Sequence, residues 1–348
     1  MAVVQYPSVA APAQPRVSVC IANFNGERML ADCIESVLEQ DSSGAIEIII
    51  HDDASTDGSI ALLRGRYPQV ELLASDANVG FCISNNRMVE YARGEYVLLL
   101  NNDAALFPGA IATLLAAARE QSKPAILTLP QYDWETGALV DRGCLLDPFY
   151  NPVPNFDPLR RDVAYVIGAC LWLPRSLWHE LGGFPDWIES IGEDLYLCCL
   201  ARLRLGSVQA IDGSGYRHRQ GASFGGNRVD AGRLVSTYRR RFLSERNKTA
   251  LMIVLTPSVV FLPLLLVHML LLALEGVALS LFRRDAHIWT SIYWPALAFP
   301  LRDAKRLAER RRFVQSSRGV DAMAYFRPMR WFPRKLGLLC RHGVPTIN

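Results

Sequence analysis

The sequence predicts an α/β fold, with a mostly parallel, Rossmann-like sheet flanked by helices and followed by a helical C-terminal region. Three observations support this prediction. Short apolar runs alternate with amphipathic stretches from residue 16 onwards, the links between them are short, and the last third of the chain is apolar and basic. The length of 348 residues, half of them hydrophobic, is enough for one large domain with an appendage.

Strands and helices alternate through the first hundred residues. The predicted strands are 17–22, 47–50, 70–74 and 96–100, and the predicted helices are 29–40, 59–67 and 84–92. Strand–helix–strand units with short links place the strands parallel, because the crossover connection has one favoured hand. Ligands of such sheets bind at the carboxyl ends of the strands.

The periodicity weakens after Asp103. Residues 132–161 are rich in Asp, Pro and Gly, which predicts a long loop region that shapes a binding surface. The elements expected beyond it are a strand at 163–173, helices at 174–181 and 195–205, a strand at 208–211, and a glycine-rich basic loop at 213–226.

Charge divides the chain in two. Residues 1–238 carry 18 basic and 28 acidic side chains, whereas residues 239–348 carry 19 basic and 6 acidic ones. An acidic first part argues against a nucleic-acid partner, and a basic, apolar second part suggests an anionic membrane surface. We therefore expect a flexible tail at 1–15, an α/β domain at 16–238 and a membrane-associated region at 239–348. The tail has no basic residue before Arg16, so it is not a secretory signal.

The apolar run Thr249–Leu274 is the candidate membrane segment. It contains 26 residues without a formal charge, about 39 Å of helix against a hydrocarbon core of about 30 Å. Pro257 and Pro263 interrupt it and both flanks are basic, which favours a hairpin, re-entrant or in-plane arrangement over a single crossing. The basic amphipathic stretch 301–313 fits a helix on anionic headgroups. The alternatives are a buried helical core for the first segment and a solvated charged helix for the second.

Several common sites are missing from the sequence. The eight cysteines form no C-x-x-C pair, so neither a zinc cage nor a disulfide framework is indicated, and reduced thiols are expected. The first strand is not followed by G-x-G-x-x-G, and the chain has no P-loop. The phosphates of any bound nucleotide therefore need another source of positive charge, such as a divalent cation, Mg²⁺ or Mn²⁺, held by a carboxylate.

Candidate ligands follow two strands. Asp103, preceded by two Asn, can hold the cation, although an Asp there can also cap the next helix. Asp53 can accept the N–H of a pyrimidine base while Phe24 packs on that base, and we assign Ser55 and Asp57 to a capping turn.

Two further positions suit the chemistry. Glu193 and Asp194 open an apolar helix, whose N-terminal dipole favours an ionised carboxylate that can remove a proton. Plain capping is the alternative. His218 lies in a basic, glycine-containing segment and can bind the cation or a phosphate, where Arg217 and Arg219 can act as point charges. An ordinary surface histidine is the alternative.

Taken in order, these segments resemble the family 2 glycosyltransferases with the GT-A fold, in particular the rhamnosyltransferase-like branch of bacterial surface-polysaccharide assembly. The matching segments are Val17–Asn25 (VSVCIANFN), Asp52–Ser59 (DDASTDGS), Asn78–Phe81 (NVGF) with Asn85 and Asn86, Gly94–Asp103 (GEYVLLLNND), Gly182–Phe184 (GGF), Gly192–Asp194 (GED) and His218–Ser223 (HRQGAS).

The resemblance implies a role for each candidate. Asp194 would be the catalytic base, with Glu193 beside it, and Asp103 the metal-binding end of a D-x-D-like element, assisted by His218. The implied nucleotide-sugar-binding residues are Ala22, Phe24, Asn25, Asp53, Asn78, Gly80, Asn101 and Asn102. The element reads Asn101-Asn102-Asp103, with one carboxylate, which implies weaker metal dependence. An aromatic pair often seen before the Glu-Asp is replaced by residues 187–190 (WIES), which puts the acceptor preference in question.

The function implied is the inverting, non-processive transfer of one sugar, since the Q-x-x-R-W element of processive synthases is absent. The donor would be dTDP-rhamnose or a UDP-sugar, and the acceptor a lipid-linked saccharide at the cytoplasmic face of the inner membrane. Two alternatives stay open: a polyprenyl-phosphate sugar synthase on the same fold, and a non-catalytic membrane adaptor with a degenerate transferase domain.

Overall fold

The computed structural model describes residues 2–41, 45–204, 207–221, 226–230 and 233–348. The chain forms two compact units. Unit 1 comprises Met1–Cys144, Pro154–Ala201 and Ser207–Ser223, and unit 2 comprises Leu145–Val153, Arg202–Gly206 and Phe224–Asn348. The second unit thus begins earlier than the predicted residue 239 and takes in two short segments from the first part of the chain.

Unit 1 is built on an eight-stranded sheet of order β1-β4-β3-β2-β5-β12-β7-β13. Its strands are β1 (Val3–Tyr6), β2 (Val17–Asn23), β3 (Ile46–Asp52), β4 (Glu71–Ser75), β5 (Tyr96–Leu100), β7 (Ile126–Thr128), β12 (Cys170–Pro174) and β13 (Val208–Ala210). The pairs β2–β3, β3–β4, β2–β5 and β7–β13 are parallel, whereas β1 and β12 run antiparallel to their neighbours. The prediction of a mostly parallel sheet is confirmed.

Smaller sheets and helices complete the chain before residue 219, including the short unit 2 segment Leu145–Val153. A second sheet of order β6-β14-β8-β9 contains β6 (Ala104–Leu106), β8 (Gln131–Asp133), β9 (Leu139–Asp141) and β14 (Tyr216–His218), and β10 (Cys144–Leu146) pairs with β11 (Pro152–Pro154). The helices are α1 (Glu27–Leu38), α2 (Ser59–Arg66), α3 (Phe81–Tyr91), α4 (Ala110–Glu120), α5 (Arg175–Leu181) and α6 (Glu193–Arg204), with a 3₁₀ turn at Asp186–Ile188.

The core of unit 1 explains the local sequence. Strand β2 lies between two parallel strands and is covered on both faces, so its residues Val17–Ile21 form a continuous buried run instead of alternating. Helix α1 packs its Leu30, Cys33, Ile34 and Val37 face into the same core. The rings of Tyr96 and Trp172 stack across β5 and β12 with centroids 5.1 Å apart.

Three local expectations differ from the structure. Residues 3–6 of the predicted flexible tail form an edge strand on β4, because that edge offers unpaired backbone groups and Glu71 also accepts from the Gln5 side chain. Only residues 170–173 of the predicted strand 163–173 belong to a strand of the sheet, β12; residues 163–169 are an apolar run because they are buried, not because they are a strand. In the predicted loop 213–226, His218 belongs to β14, and residues 222–225 lie outside the described part.

Unit 2 is mainly helical. Its helices are α7 (Tyr238–Leu255), α8 (Ser258–Arg283), α9 (Ala286–Ile288), a π-helix at Trp289–Tyr293, α10 (Trp294–Arg302), α11 (Ala304–Ser316), α12 (Ala322–Phe326) and α13 (Arg334–His342). A small sheet joins β15 (Gly226–Asp230), β16 (Arg233–Ser236) and β17 (Thr346–Ile347). The predicted basic stretch 301–313 corresponds closely to α11.

The uncharged run Thr249–Leu274 is divided between two helices. Helix α7 ends at Leu255, and Thr256 is extended because it precedes Pro257. Helix α8 then runs for 26 residues with Pro263 inside its second turn. Its length and its mean hydropathy of 2.3 would suit a membrane span, and only 17% of its most apolar stretch is buried within the protein. The low burial argues against the alternative of a buried core helix.

Candidate active site

Buried amide and carboxylate side chains join the carboxyl ends of three neighbouring strands. The Asn23 Nδ2 group donates to Asp52 Oδ2 over 2.8 Å, and Asn102 Nδ2 donates to Asn23 Oδ1 over 2.8 Å. These three side chains follow or end β2, β3 and β5 and are almost fully buried. Because buried polar groups are costly unless they are hydrogen-bonded, this chain of contacts fixes the strand ends relative to one another.

Asp53 holds the turn that leads into helix α3. Its carboxylate accepts the main-chain N–H groups of Val79 and Gly80 over 2.7 and 2.8 Å, and Gly80 has a φ of +88° that favours glycine. A carboxylate has about four acceptor positions, so these two bonds leave capacity for another donor. Asp53 therefore connects the predicted nucleotide residue Gly80 to the end of β3.

Four other residues predicted to bind the nucleotide lie near Asp53 and Gly80. Ala22 is half-buried near the end of β2, Phe24 is half-exposed, and Asn78 is exposed on the turn that Asp53 holds. Asn25 has a φ of +51° and its Oδ1 atom accepts the Thr56 N–H. The predicted capping turn is seen in part: Asp57 accepts the N–H groups of Ser59 and Glu27, which begin α2 and α1, whereas the Ser55 hydroxyl accepts the N–H of Asn25 and does not cap α2.

The structure brings Asp103 and His218 together. The pairing of β14 with β6 places His218 opposite Ala104, and the His218 Nε2 atom lies 3.1 Å from Asp103 Oδ1. Both side chains are buried, and His218 Nδ1 has no hydrogen-bond partner among the described residues. The Arg219 N–H donates to the Asp103 carbonyl over 3.0 Å, which fixes the relative position of the two segments.

This pair suits a divalent cation. Carboxylate oxygen and imidazole nitrogen are ligands that Mn²⁺ accepts, and Mg²⁺ is commonly bound by one or two carboxylates with the rest of its ligands from water and phosphate. No group of three or more His, Cys, Asp or Glu side chains suited to a metal occurs in the described part of the chain. Asp103 and His218 would supply two ligands to such a cation, and oxygens of a substrate could take further positions.

Asp194 lies at the same end of the sheet. Its Oδ2 atom accepts the Gly168 N–H over 3.0 Å, and the carbonyl of the following residue, Ala169, accepts the Asn101 N–H over 3.2 Å. The short backbone segment of Gly168 and Ala169 thus connects Asp194 to the start of the segment Asn101–Asp103. Glu193, at the first position of α6, is buried beside it. The predicted convergence of Asp53, Asp103, Asp194 and His218 at one sheet end agrees with these contacts.

Backbone strain is concentrated around these residues. Among the described non-glycine residues, six have a positive φ, and four of them flank the candidate site: Asn25, Ala54, Glu189 and Ile191. A positive φ in a β-branched residue such as Ile191 is rare, and strained residues of this kind cluster at functional sites. The segment 189–192 therefore delivers Glu193 and Asp194 in a conformation that the sequence alone would not favour.

Two of the segments that resemble the family, those containing Asn86 and Phe184, make structural contacts with each other. The Asn86 side chain donates to the Phe184 carbonyl and accepts the Phe184 N–H over 2.8 and 2.9 Å, which joins α3 to the turn after α5. A Cβ at Gly183 would lie 2.8 Å from Asn86 Oδ1, so this close approach requires glycine. The Phe81 and Phe184 rings pack with centroids 6.1 Å apart.

The structure shows contacts of several residues that the sequence did not indicate. Asn23, within the matching segment at the end of the first strand, had been given no role of its own, and nothing in its local sequence marks Gly168, yet both carry connecting contacts. Arg219, expected to meet a diphosphate, instead bonds Asp32 over 2.8 Å and stacks on Trp134 at 3.6 Å, whereas Arg217 is exposed. Asp141 was not singled out, yet it is buried close enough to interact with His218, and burial raises its pKa to about 6.

Comparison with known proteins identifies the domain. Residues 18–182 match the family model described as glycosyl transferase family 2. The chain is 36% identical over 108 residues to the uncharacterized glycosyltransferase YibD of Escherichia coli K12, covering 30% of this chain and 31% of that protein. It is 26% identical over 182 residues to an N-acetylglucosaminyl-diphospho-decaprenol L-rhamnosyltransferase of Mycobacterium tuberculosis, covering 44% of this chain and 59% of that protein.

A solved structure agrees with the fold. The crystal structure of GalNAc-T7 with UDP, GalNAc and Mn²⁺ matches with a TM-score of 0.55 and 15% identity over 71% of this chain and 49% of that one. The chain spans about a third of the length of YibD, so these relatives define a domain and not the whole protein. The predicted GT-A fold is confirmed. Residues 18–182 are accordingly a family 2 glycosyltransferase domain.

Proposed function

We propose that the protein transfers one sugar from a nucleoside-diphosphate sugar, dTDP-rhamnose or a UDP-sugar, to the hydroxyl of a lipid-linked saccharide. The observation that carries this proposal is the link from Asp194 through Gly168 and Ala169 to Asn101, which brings a carboxylate to the sheet end where Asp103 contacts His218. A base and a cation-binding pair at one place are what transfer to a hydroxyl requires.

Asp194 acts as the general base in an inverting displacement. It accepts the proton of the acceptor hydroxyl while the oxygen forms a bond to the anomeric carbon, and the bond from that carbon to the diphosphate breaks with its electron pair on the leaving nucleoside diphosphate. The position of Asp194 in the first turn of α6 favours its ionised form. The Gly168 N–H bond holds the carboxylate in a fixed orientation.

Asp103 and His218 would hold a divalent cation, Mg²⁺ or Mn²⁺. Such a cation would neutralise the charge that develops on the leaving diphosphate. Asp53 accepts an N–H of the base with its remaining acceptor capacity, and Phe24, half-exposed beside it, packs on the base plane. Asn101 and Asn102 position the segment that carries Asp103.

The acceptor is held at the cytoplasmic face of the inner membrane. Support for this comes from α8, which is long and apolar and largely unburied, and from the excess of basic residues after residue 239. The decaprenol-linked acceptor in the name of the mycobacterial relative is a second support. A lipid-linked saccharide would reach the site from such a surface.

A donor panel tests the proposal. The protein is incubated with UDP- and dTDP-sugars and with either a diphosphate-linked lipid saccharide or polyprenyl phosphate, with Mn²⁺, with Mg²⁺ and after chelation. Nucleoside diphosphate release and nucleotide binding are measured. We expect release with one donor class that falls on chelation. Transfer to polyprenyl phosphate instead would identify the synthase alternative. Absence of both nucleotide binding and release with every donor would contradict the proposal and favour the adaptor.

A further inference from the structure

Helix α13 of unit 2 turns its apolar side outward. Leu336 and Leu339 are 52% and 48% exposed, and Cys340 beside them is exposed, whereas Lys335 lies on the side that faces the protein. Trp331 and Phe332, just before the helix, are 66% and 65% exposed. A surface helix in water normally has the opposite arrangement, with its apolar side covered.

Ion pairs fix this orientation. The Lys335 Nζ atom donates to Glu245 Oε1 of α7 over 2.8 Å and to Glu275 Oε2 of α8 over 2.6 Å. The Arg334 N–H at the start of the helix donates to the buried Asp147 over 2.8 Å. Turning α13 to cover its leucines would remove Lys335 from both carboxylates and leave buried charges without their partner, which is costly. The apolar side is therefore held outward.

The C-terminal segment that contains the helix carries no acidic residue. Residues 322–348 contain no Asp or Glu and five cationic side chains, Arg327, Arg330, Arg334, Lys335 and Arg341. Basic residues combined with Trp, Phe and Leu are typical of helices that lie in the headgroup region of anionic membranes. A face that binds another protein would not need an excess of one sign of charge.

The neighbouring helix α8 also favours a membrane as the partner of α13. Lys335 connects α13 to α8, whose side chains Leu266, Leu270 and Leu274 form an exposed apolar row at a spacing of four residues. The outward side of α13 thus belongs to the same unit as the candidate membrane helix.

We propose that α13, with Trp331 and Phe332, is a second membrane anchor that lies in the interface of an anionic bilayer with Leu336, Leu339 and Cys340 toward the acyl chains. This anchor adds to the membrane association of α8 proposed above, on which it rests. Glu245 and Glu275 act as positioning residues, because they hold Lys335 and so set which side of α13 faces the lipid.

Cys340 provides a direct probe. All eight cysteines are described, and only Cys340 is exposed. Burial raises the pKa of the thiols of Cys20, Cys33 and Cys82, which further suppresses their reaction with a thiol reagent. An environment-sensitive fluorophore can therefore be attached to Cys340 in the folded full-length protein.

The test uses vesicles of phosphatidylglycerol with phosphatidylcholine, and vesicles of phosphatidylcholine alone. We expect the emission of labelled Cys340 to shift to the blue and to be quenched by brominated acyl chains, more strongly with the anionic vesicles and less at high salt. Sedimentation with the vesicles measures the association of the whole protein. If the protein sediments with vesicles while the label keeps its emission in water, α8 binds lipid and the proposal for α13 is wrong.

Variants separate the anchor from the rest of the protein. The double variant Leu336→Ser with Leu339→Ser should weaken vesicle binding by about tenfold, because two leucines no longer enter the interface. The control Leu159→Ser changes a leucine that is 90% exposed in unit 1 and should bind like the wild type. Equal vesicle binding by the double variant and the wild type would overturn the proposal. A blue shift of the Cys340 label that appears with an added protein fraction, but with neither kind of vesicle, would also overturn it.

Discussion

The two units bury charged groups in different ways. At the sheet end of unit 1, Asp52 and Asp53 are bonded by amides: Asn23, and the N–H groups of Val79 and Gly80. In unit 2, Glu245 is bonded by cations, with Lys335 at 2.8 Å and Lys248 at 3.1 Å. An amide orients a carboxylate without cancelling its charge, whereas a cation cancels it. The first arrangement suits a site that receives a ligand, and the second suits a structural connection.

The cluster in unit 2 consists of five charged side chains. Arg241, Glu245 and Lys248 come from α7, Glu275 from α8 and Lys335 from α13. The three cations hold the pKa of Glu245 well below its usual range despite burial, and burial lowers the pKa of Lys248 to about 8. The cluster joins three helices by charge, in addition to the apolar packing between α7 and α8.

The largest effect is expected from a carboxylate of the site. Asp194→Asn keeps the shape of the side chain but removes the base, so turnover should fall by about 10²- to 10⁴-fold. Nucleotide binding and the thermal midpoint should change little, since the Asn oxygen can still accept the Gly168 N–H. Steady-state kinetics and nucleotide titration give the two quantities.

The matched control is Asp76→Asn, which neutralises an exposed carboxylate that accepts the Ala2 N–H. It should leave turnover unchanged. Full activity of the Asp194→Asn protein would remove Asp194 from the role of base.

In the unit 2 cluster, the loss of a carboxylate should lower the stability of the fold and leave nucleotide binding unchanged. Glu245→Gln leaves Arg241, Lys248 and Lys335 with one carboxylate fewer between them, and removing one member of a buried ion pair costs about 3–5 kcal/mol of unfolding free energy. Urea unfolding followed by circular dichroism measures this loss. Nucleotide binding by the folded variant should be retained.

Glu309→Gln, at an exposed position of α11, is the control for the same change of side chain. Its unfolding free energy should stay within about 0.5 kcal/mol of the wild type. A similarly small effect at Glu245 would show that the cluster is not a structural connection.

The lowered pKa of Glu245 predicts that the fold loses stability in acid. A carboxyl group whose pKa is lower in the folded than in the unfolded chain stabilises the fold above the unfolded value, and this stabilisation is lost as the pH falls toward the folded value. The unfolding free energy should therefore decline below about pH 4.5, the ordinary value for Glu. Urea midpoints measured across this range should show a weaker decline in Glu245→Gln, and parallel curves would contradict the assignment.

A smaller effect is expected from the amides that join the strand ends. Asn102→Ala removes the donor to Asn23 Oδ1 and leaves a buried acceptor without it, at a cost of about 1–3 kcal/mol. Because Asn102 precedes Asp103, the affinity for nucleotide in the presence of Mn²⁺ should also fall. A variant with unchanged stability and unchanged affinity would show that this amide connection does not shape the site.

The sequence predicted the sheet because its strands β2, β3 and β5 are largely apolar runs that end in polar residues or are followed by them. It could not predict the contact of Asp194 with Gly168 or the pairing of β14 with β6, since these join residues 26 and more than 100 positions apart and leave no periodic signal. Residues 163–169 misled the prediction because burial, not strand pairing, makes them apolar. The resemblance to a family, and not periodicity, indicated His218.

The smallest effect is expected where an ion pair is exposed. Arg66 and Glu35 form a pair on unit 1 with side chains 58% and 42% exposed, and Tyr67 also donates to Glu35 over 2.9 Å. Water and salt screen such a pair, so Arg66→Ala should cost less than about 1 kcal/mol. Urea unfolding at low and at high salt is the measurement, and any difference between variant and wild type should shrink as salt is added. A loss as large as that of Glu245→Gln would mean that burial is not what separates the two kinds of ion pair, and the contrast between the units would then need another physical cause.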